Sequence, residues 1–266
     1  MSEKRKISTR RIIQTFVTIL VTGACIVAVF SAAKVQDNKK IKGFEITIKN
    51  DKYQFIDKEE VKSILQNDAG VDVNKAGIGS INTSRMEKVM DANPWVEDAQ
   101  VYIDNRKVVH VHIEQRVPVA RLFDQSGASY YLDHTMKAMP LSDRYVHYST
   151  VVTNVPVLNE DSSGDAMRAQ IVAMVKYIER DSFWSAQISQ IVCTDDKTFE
   201  VVPVLGNHRI LIGDTSRLDE KFDNLYAFYK KVLNRIGWDK YEVLDVRYAS
   251  QVVASPAVQW KAPADK

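Results

Sequence analysis

Apolar and polar residues alternate along several short stretches of this chain, and such a period of two predicts strands with one buried face. The clearest case is YEVLDVRYASQVV, residues 241–253, close to the C-terminus. One face of this predicted strand carries Leu244, Val246, Tyr248 and Val252, and the other carries Asp245, Arg247 and Gln251. Because only a short tail follows it, we expect this strand to end a sheet and to leave its outer edge open.

Residues 43–117 predict a small α+β domain in the order strand, helix, helix, strand, strand. Its strands are GFEITIKN at the start and WVEDAQVYI and VVHVHIEQ at the end. Asp57 and Glu60 form a capping box, which predicts the start of the first helix. The second helix is expected to end at Asn93-Pro94, because proline cannot continue a helix.

Residues 118–254 predict a second domain, and Pro118 marks its boundary because proline interrupts a strand ladder. Several short strands are separated by turns. Apolar residues at helical spacing predict one helix near 165–180 and a longer one over 215–236. With the strand at its end, this domain is expected to be a mixed β/α fold with a mostly antiparallel sheet. Residues 255–266 are expected to form a flexible tail.

The N-terminal part of the chain predicts a membrane segment. Residues 12–33 carry no charge. As a helix they would be about 33 Å long, enough to cross a hydrocarbon core of about 30 Å. The basic cluster in residues 1–11 predicts a cytoplasmic tail. We therefore expect one transmembrane helix, a spacer over 34–42 and extracytoplasmic domains. The alternative is a cleaved signal peptide with Ser31-Ala32-Ala33 as its cleavage site.

Composition narrows the classes of function. Hydrophobic residues make up 45% of the chain and charged residues 26%, which is typical of a globular protein. The net charge is +2, but residues 1–11 hold five basic residues against one acidic, which leaves −2 for the remainder. A slightly acidic body gives no support to nucleic-acid binding. Cys25 lies in the apolar segment, far from Cys193, so we expect neither an internal disulfide nor a metal framework.

Motifs of known catalytic chemistry are missing from the sequence. We find no nucleophile elbow, His-Glu-x-x-His motif or phosphate-binding loop. The chain is therefore predicted not to be an enzyme and to need no cofactor. His110 and His112 share one strand face and could form half of a metal site, but no third ligand lies near them, so a solvated strand face is preferred. Trp95, Trp184 and Trp238 are interpreted as anchors of the core or of a domain junction, and Trp260 as a contact for a partner.

The first domain resembles a POTRA domain. NPWVEDAQVYI is similar to the link into the second strand of that domain, and IEQRVPVARL is similar to the exit from its third strand. Gln115, Arg116 and Pro118 match the Gln-Arg-x-Pro form that some relatives carry there. The turn departs from the commoner pattern, because Asp104-Asn105 stands where an aromatic-proline pair is frequent.

The second domain resembles the extracytoplasmic half of the FtsQ/DivIB family of bacterial division proteins. ILIGDTSRLDEKFDNL is similar to its glycine-then-helix segment, and YEVLDVRY to its terminal strand. Tyr131, Leu132 and Asp133 fit a Tyr-x-Asp-x-x-Gly pattern in which Met136 takes the place of glycine. We expect a turn of another type here, because methionine resists a positive φ. The implied fold class is α+β, with a single transmembrane helix, a POTRA-like β-α-α-β-β domain and an FtsQ-type β domain.

The resemblance also implies a function. FtsQ-like proteins are scaffolds of the divisome at the septum, and their last strand and the residues after it bind the small division proteins FtsB and FtsL. These partners connect them indirectly to the septal peptidoglycan synthase FtsW/FtsI. An uncharged strand edge can accept a partner's strand by β-augmentation. The predicted partner-binding residues are Arg247, Tyr248, Ala249, Ser250, Gln251, Val252, Val253 and Trp260, with Glu220 and Lys221 as weaker candidates.

Other interpretations stay open at this point. Residues 241–253 are also compatible with an ordinary edge strand that has no partner. A POTRA-containing transport or secretion accessory protein is a second possible class, for which we expect more POTRA repeats or a membrane barrel. A membrane-tethered envelope hydrolase is a third, and it would release fragments from peptidoglycan, whereas a scaffold would not.

Overall fold

The computed structural model describes residues 14, 16–28, 40–72 and 76–257 of the 266-residue chain. These residues divide into two compact units, each described below by itself. The first unit contains the described residues up to Lys49 together with Ile56–Gln115, and the second contains Asn50–Phe55 and the described residues from Arg116 onward.

From Gly43 onward, the first unit is a three-stranded sheet with two α-helices. Its elements are β1 (Gly43–Lys49), α1 (Lys58–Asn67), a 3₁₀ turn (Ile78–Ser80), α2 (Thr83–Asp91), β2 (Val96–Ile103) and β3 (Val108–Gln115). The central strand is β3, which runs parallel to β1 and antiparallel to β2. The order strand, helix, helix, strand, strand that the sequence predicts is therefore confirmed.

The core of the first unit follows from the apolar pattern. Along β3, Val109, Val111 and Ile113 point inward and are buried, as the period of a strand requires. They pack with the apolar stripes of α1 and α2. Asp57 accepts a hydrogen bond from the N–H of Glu60 at 2.8 Å, so the predicted N-cap begins α1.

The transmembrane helix predicted over residues 12–33 is a wrong prediction for the part of the chain that the structure describes. The residues of this region that the structure describes, 14 and 16–28, are helical. Among the described residues, no helix has the length and apolar character needed to cross a membrane. The fold class shown is a mixed α+β fold. Residues 1–13, 15 and 29–39, and with them the predicted cytoplasmic tail, lie outside the described residues.

The second unit is built on one nine-stranded mixed sheet. Its strands are β4 (Pro118–Asp124), β5 (Ser129–Asp133), β6 (Ala138–Met139), β7 (Thr150–Val155), β8 (Ile188–Cys193), β9 (Phe199–Pro203), β10 (Arg209–Gly213), β11 (Tyr241–Asp245) and β12 (Val253–Pro256). Their order across the sheet is β12-β11-β10-β9-β8-β7-β4-β5-β6. The pairs β4–β7, β7–β8 and β10–β11 are parallel, and the other pairs are antiparallel. The two ends of the sheet are β6 and β12.

Helices bury their apolar stripes in the core of this unit. They are α3 (Ser162–Glu179), α4 (Ser182–Gln187), α5 (Leu218–Phe228), a π-helix (Tyr229–Leu233) and α6 (Asn234–Ile236). Trp184 is buried and Trp238 is half-buried, and both pack in this core, which agrees with their interpretation as anchors.

The helix predicted over 215–236 differs from the observed one at its start and in its middle. It begins at Leu218, because Asp214 instead makes a local turn by accepting the N–H of Ser216 at 3.1 Å. It changes to a π-helix at Tyr229, whose buried hydroxyl lies 3.0 Å from Nε2 of His208. Sequence periodicity shows the apolar stripe but not this change of helical type.

A buried ion pair joins the start of β4 to the end of β5. Nη1 of Arg116 lies 2.7 Å from Oδ2 of Asp133, and the two side chains are 6% and 0% exposed. The other oxygen of Asp133 accepts the backbone N–H groups of Thr135 and Lys137, both at 2.8 Å. The two sequence patterns that contain Arg116 and Asp133 therefore meet inside the unit and serve its structure.

The turn between β5 and β6 adopts the conformation that its sequence argues against. Met136 has a φ of 68°, so the expectation of another turn type is wrong. The N–H of Asp133 donates to the carbonyl oxygen of Lys137 at 3.0 Å, and the Asp133 carbonyl accepts the N–H of Met136 at 3.1 Å. These bonds hold the turn closed and offset the cost of roughly 1–2 kcal/mol that a left-handed residue with a side chain carries.

Replacing Met136 with glycine is expected to raise the free energy of unfolding of the second unit by about 0.5–1 kcal/mol, because glycine adopts a positive φ without strain. The Met136 side chain is 40% exposed, so little packing is lost. Urea unfolding measures the change. Met136→Ala is the control, since alanine keeps the backbone strain and should bring no gain. A loss of stability in Met136→Gly would contradict the strain.

Candidate partner-binding edge

The stretch 241–253, predicted as one strand, is two strands in the structure. β11 ends at Asp245, and the chain turns back so that β12 pairs antiparallel with β11. The register places Asp245 opposite Val253 and Tyr241 opposite Pro256. The outer edge of β11 is therefore covered by residues that the sequence assigned to the end of the strand and to the tail. The prediction that this edge is open is wrong, and at this end of the sheet β12 is the last strand among the described residues.

The outer edge of β12 offers few backbone groups. The N–H of Ala257 donates at 3.0 Å to the carbonyl of the residue before β11, so the backbone groups of Ala257 face β11. Because neighbouring residues of a strand alternate in direction, Val253 and Ser255 also face β11, while Ala254 and Pro256 face outward. Proline has no N–H, which leaves Ala254 as the outward donor of β12.

The residues predicted to bind a partner lie mainly in the connection between β11 and β12, residues 246–252. Val246 is buried and continues along β10, where its N–H donates to the carbonyl of Leu211 at 3.1 Å. Tyr248 is 50% exposed. Exposed residues of the predicted set are Arg247, Tyr248, Ala249, Ser250, Gln251 and Val253, and Val252 is half-buried against the core. Trp260 lies outside the described residues.

Arg247 folds back on Asp245. Its backbone N–H, Nε and Nη2 donate to the Asp245 carboxylate at 3.0, 2.9 and 2.6 Å. The arginine side chain passes over Gly213, where a Cβ would lie 3.0 Å from Cγ of Arg247. Burial raises the pKa of Asp245, but the hydrogen bonds from Arg247 outweigh it and bring the pKa below its ordinary value. The alternation along residues 241–253 predicts that Asp245 faces solvent, but only 8% of this residue is exposed.

Arg217 and Glu220, at the start of α5, bind the connection at two points. Oε1 of Glu220 accepts the N–H of Ser250 at 2.8 Å. Oε2 of Glu220 accepts from Nη1 of Arg217 at 3.0 Å, and Nη2 of Arg217 donates to the carbonyl of Arg247 at 3.2 Å. The hydrogen bond from Ser250, above all, lowers the pKa of Glu220. The structure thus brings one of the weaker candidates, Glu220, directly to a predicted site residue.

Lys221, the other weaker candidate, is only 3% exposed and acts inside the unit. Its Nζ donates to the carbonyl and to Oδ1 of Asp214, at 2.8 and 2.9 Å. The Ser216 hydroxyl also donates to Oδ1 of Asp214, and together with Lys221 it lowers the pKa of Asp214 to about 2. Lys221 therefore fixes the loop before α5 and is not offered to a partner.

The stability of the second unit is expected to fall as the pH drops from about 4.5 to about 2. Asp214, Glu220 and Asp245 all have folded-state pKa values below their ordinary values. The unfolded chain therefore binds protons more readily, and the stability that these groups contribute is complete above their ordinary pKa values and lost toward the folded ones. Urea unfolding at a series of pH values measures this. Asp214→Asn should flatten the decline, and an unchanged slope in that variant would contradict the role of Asp214.

His110 and His112, considered above as half of a metal site, make other contacts in the first unit. Their rings stack on the ring of Tyr102, with centroids 4.9 and 5.5 Å away. The two ring nitrogens of His110 each lie 3.3 Å from a carboxylate oxygen, one of Glu45 and one of Asp104. Within the described ranges, no group of three or more His, Cys, Asp or Glu side chains is arranged to hold a metal ion.

Two features at the start of α5 and after the connection 246–252 were not predicted from the sequence. Pro256 was an available signal, since proline within a strand is confined to edges, and it could have indicated a further edge strand after residue 252. Arg217 gave no signal. It adopts a φ of 51°, a conformation that nothing about an arginine predicts.

The fold defines a class of protein in which a small β-α-α-β-β unit is followed along the chain by a unit built on a larger mixed sheet. Residues 39–114 match the POTRA-like domain, and residues 117–255 match the family described as FtsQ/DivIB, C-terminal related. The second match covers just over half of the chain, which therefore belongs to the FtsQ/DivIB family. No match was found among curated proteins. The resemblance noted in the sequence is confirmed, and it assigns the chain to a family of non-enzymatic scaffolds of the division site.

Proposed function

We propose that this protein is a divisome scaffold that binds small division proteins of the FtsB and FtsL type by β-strand addition at the outer edge of β12. The observation that carries the proposal is the position of β12 as the last described strand at one end of the sheet. Alternation along β12 implies that the backbone N–H and carbonyl of Ala254 face outward. Membership of the FtsQ/DivIB family supports it. Through these partners the scaffold connects to the septal peptidoglycan synthase FtsW/FtsI.

The energetics of this edge favour a partner that also uses side chains. Each backbone hydrogen bond contributes only about 0.5–1.5 kcal/mol net, and β12 offers few outward groups. Tyr248 and Val253 are 50% and 44% exposed and supply apolar surface before and at the start of the strand. A modest edge is sufficient in a scaffold, because several linked contacts reinforce one another through effective concentration.

Replacing Ala254 with proline tests the proposal. The substitution removes the outward N–H, while the ladder to β11 is made by Val253, Ser255 and Ala257 and should persist. We expect the affinity for a purified FtsB-type partner to fall by about tenfold or more, since the strand loses its outward donor. A photo-crosslinker at Tyr248 in dividing cells should lose its adducts to that partner in the same variant.

Ala254→Gly is the matched control, because it keeps the N–H and should bind like the unsubstituted protein. Circular dichroism checks that both variants fold. Wild-type affinity in Ala254→Pro would exclude the β12 edge as the binding site. Adducts from Tyr248 to exported proteins in place of division proteins would favour a transport or secretion accessory protein, and release of fragments from purified peptidoglycan would favour a hydrolase.

The septum is the proposed location, which a fluorescent fusion in dividing cells tests directly. A band of fluorescence at the constriction is the expected result, and a uniform envelope signal would contradict it. The extracytoplasmic position of the two units stays a prediction, and the likeness to the FtsQ/DivIB family supports it. A reporter enzyme that is active on only one side of the membrane, fused to the C-terminus, measures it.

A further inference from the structure

Two residues with a left-handed backbone conformation lie where α5 meets the connection 246–252. Arg217 has a φ of 51° and Ser250 a φ of 59°, and both are residues with side chains in the left-handed region. Gly213, with a φ of 76°, lies directly under the side chain of Arg247. Left-handed residues with side chains persist only where surrounding contacts hold them, and they cluster at functional sites. The contacts that stabilise the start of α5 and the connection 246–252 are therefore of functional interest.

The Arg217–Glu220 pair supplies these contacts. Glu220 accepts the N–H of Ser250, and Arg217 donates to the carbonyl of Arg247. The two side chains also bind each other, so they act as one unit. The connection is held by its backbone on both sides of Tyr248, while the Tyr248 side chain stays half exposed. The ladder between β11 and β12 does not fix Tyr248, because its pairing resumes only at Val253.

We propose that Arg217 and Glu220 are positioning residues that hold the connection in the bent form that presents Tyr248 to a partner strand. This inference rests on the proposed function of the β12 edge. Neither side chain has to touch the partner. Their effect is to order the connection before binding, which reduces the conformational entropy that the complex loses when it forms. Without the pair, the same residues would bind from a disordered ensemble, and the affinity would fall.

The first experiment measures the connection itself by amide hydrogen exchange. Glu220→Ala removes the acceptor, and the Ser250 amide is expected to exchange about tenfold faster or more, because one hydrogen bond is lost. The amides of Val253 and Ser255, which pair with β11, should keep their protection. Glu220→Gln retains an acceptor oxygen and should keep most of the protection of Ser250. Equal exchange of Ser250 in Glu220→Ala and the unsubstituted protein would overturn the proposal.

The second experiment measures binding to the soluble part of the FtsB-type partner. Glu220→Ala and Arg217→Ala should each weaken the affinity by about three- to tenfold, and Glu220→Gln should restore it. Faster exchange at Ser250 with unchanged affinity would overturn the positioning role while leaving strand addition intact. If Ala254→Pro instead binds the partner with wild-type affinity, strand addition is overturned. The contribution of the Arg217–Glu220 pair to binding is then overturned with it. The exchange experiment still measures whether the pair orders the connection.

Discussion

Replacing Arg116 with alanine is expected to lower the free energy of unfolding of the second unit by about 3–5 kcal/mol. The substitution leaves the carboxylate of Asp133, which is 0% exposed, without its cation. The remaining donors to Asp133 include the backbone N–H groups of Thr135 and Lys137, which are neutral and cannot compensate a buried charge. Urea unfolding followed by tryptophan fluorescence measures the loss, because Trp184 lies in the core of this unit.

The double variant Arg116→Ala with Asp133→Asn separates the lost charge from the lost packing. Asparagine is neutral, and its Oδ1 can still accept the two backbone N–H groups at the turn. We expect the second substitution to recover about 1 kcal/mol or more of the stability that the first one removes, because the two residues are coupled. If Arg116→Ala alone lowers the free energy of unfolding by less than about 1 kcal/mol, the pair contributes no more than a surface ion pair. This result would contradict the expected effect of burial.

Replacing Phe222 with alanine is expected to destabilise the second unit by about 3–5 kcal/mol, the usual cost of a cavity left by a buried aromatic ring. Phe222 is 1% exposed. Its ring centroid lies 4.9 Å from those of both Tyr177 and Trp184. Phe222 packs the first turns of α5 against the core, and the Arg217–Glu220 pair lies at the start of this helix. Thermal or urea unfolding measures the loss of stability. Faster exchange of the Ser250 amide would show that the order of the connection depends on the packing of Phe222.

Tyr226→Ala is the matched control for Phe222. It truncates an aromatic ring one turn further along α5, but Tyr226 is 37% exposed, so the solvent can fill much of the space. Its cost is expected to stay near about 1 kcal/mol, the typical value for a substitution without a buried cavity. Equal losses in the two variants would mean that packing at Phe222 is no tighter than at the surface.

The elements of the first unit could be predicted because their signals are local. Alternation along β2 and β3 shows which side chains point inward, and the capping box of Asp57 and Glu60 marks a helix start within four residues. In the second unit, local patterns indicate strands and helices but not the order of strands across the sheet. That order depends on contacts between residues far apart in the chain, such as the parallel pairing of β10 with β11.

The geometry of the candidate site could not be predicted from the sequence, and its role in partner binding stays a prediction. Arg247, Ser250 and Glu220 were all named from the sequence, yet the bend after Asp245 is fixed by side chains about thirty positions earlier. Alternation continues through residues 246–252 and therefore hides the bend. Met136 shows the same limit, because its positive φ is held by the hydrogen bonds of Asp133 and not by any property of methionine.

Both ends of the nine-stranded sheet discourage growth from one molecule to the next. β6 has only 2 residues. At the other end, Pro256 interrupts the row of donors along β12. Stacking of copies into a fibre requires a long, continuous row of backbone donors and acceptors at an exposed edge strand. Very short strands and edge prolines interrupt such a row. Many molecules can therefore be concentrated in one place without polymerising through their sheets.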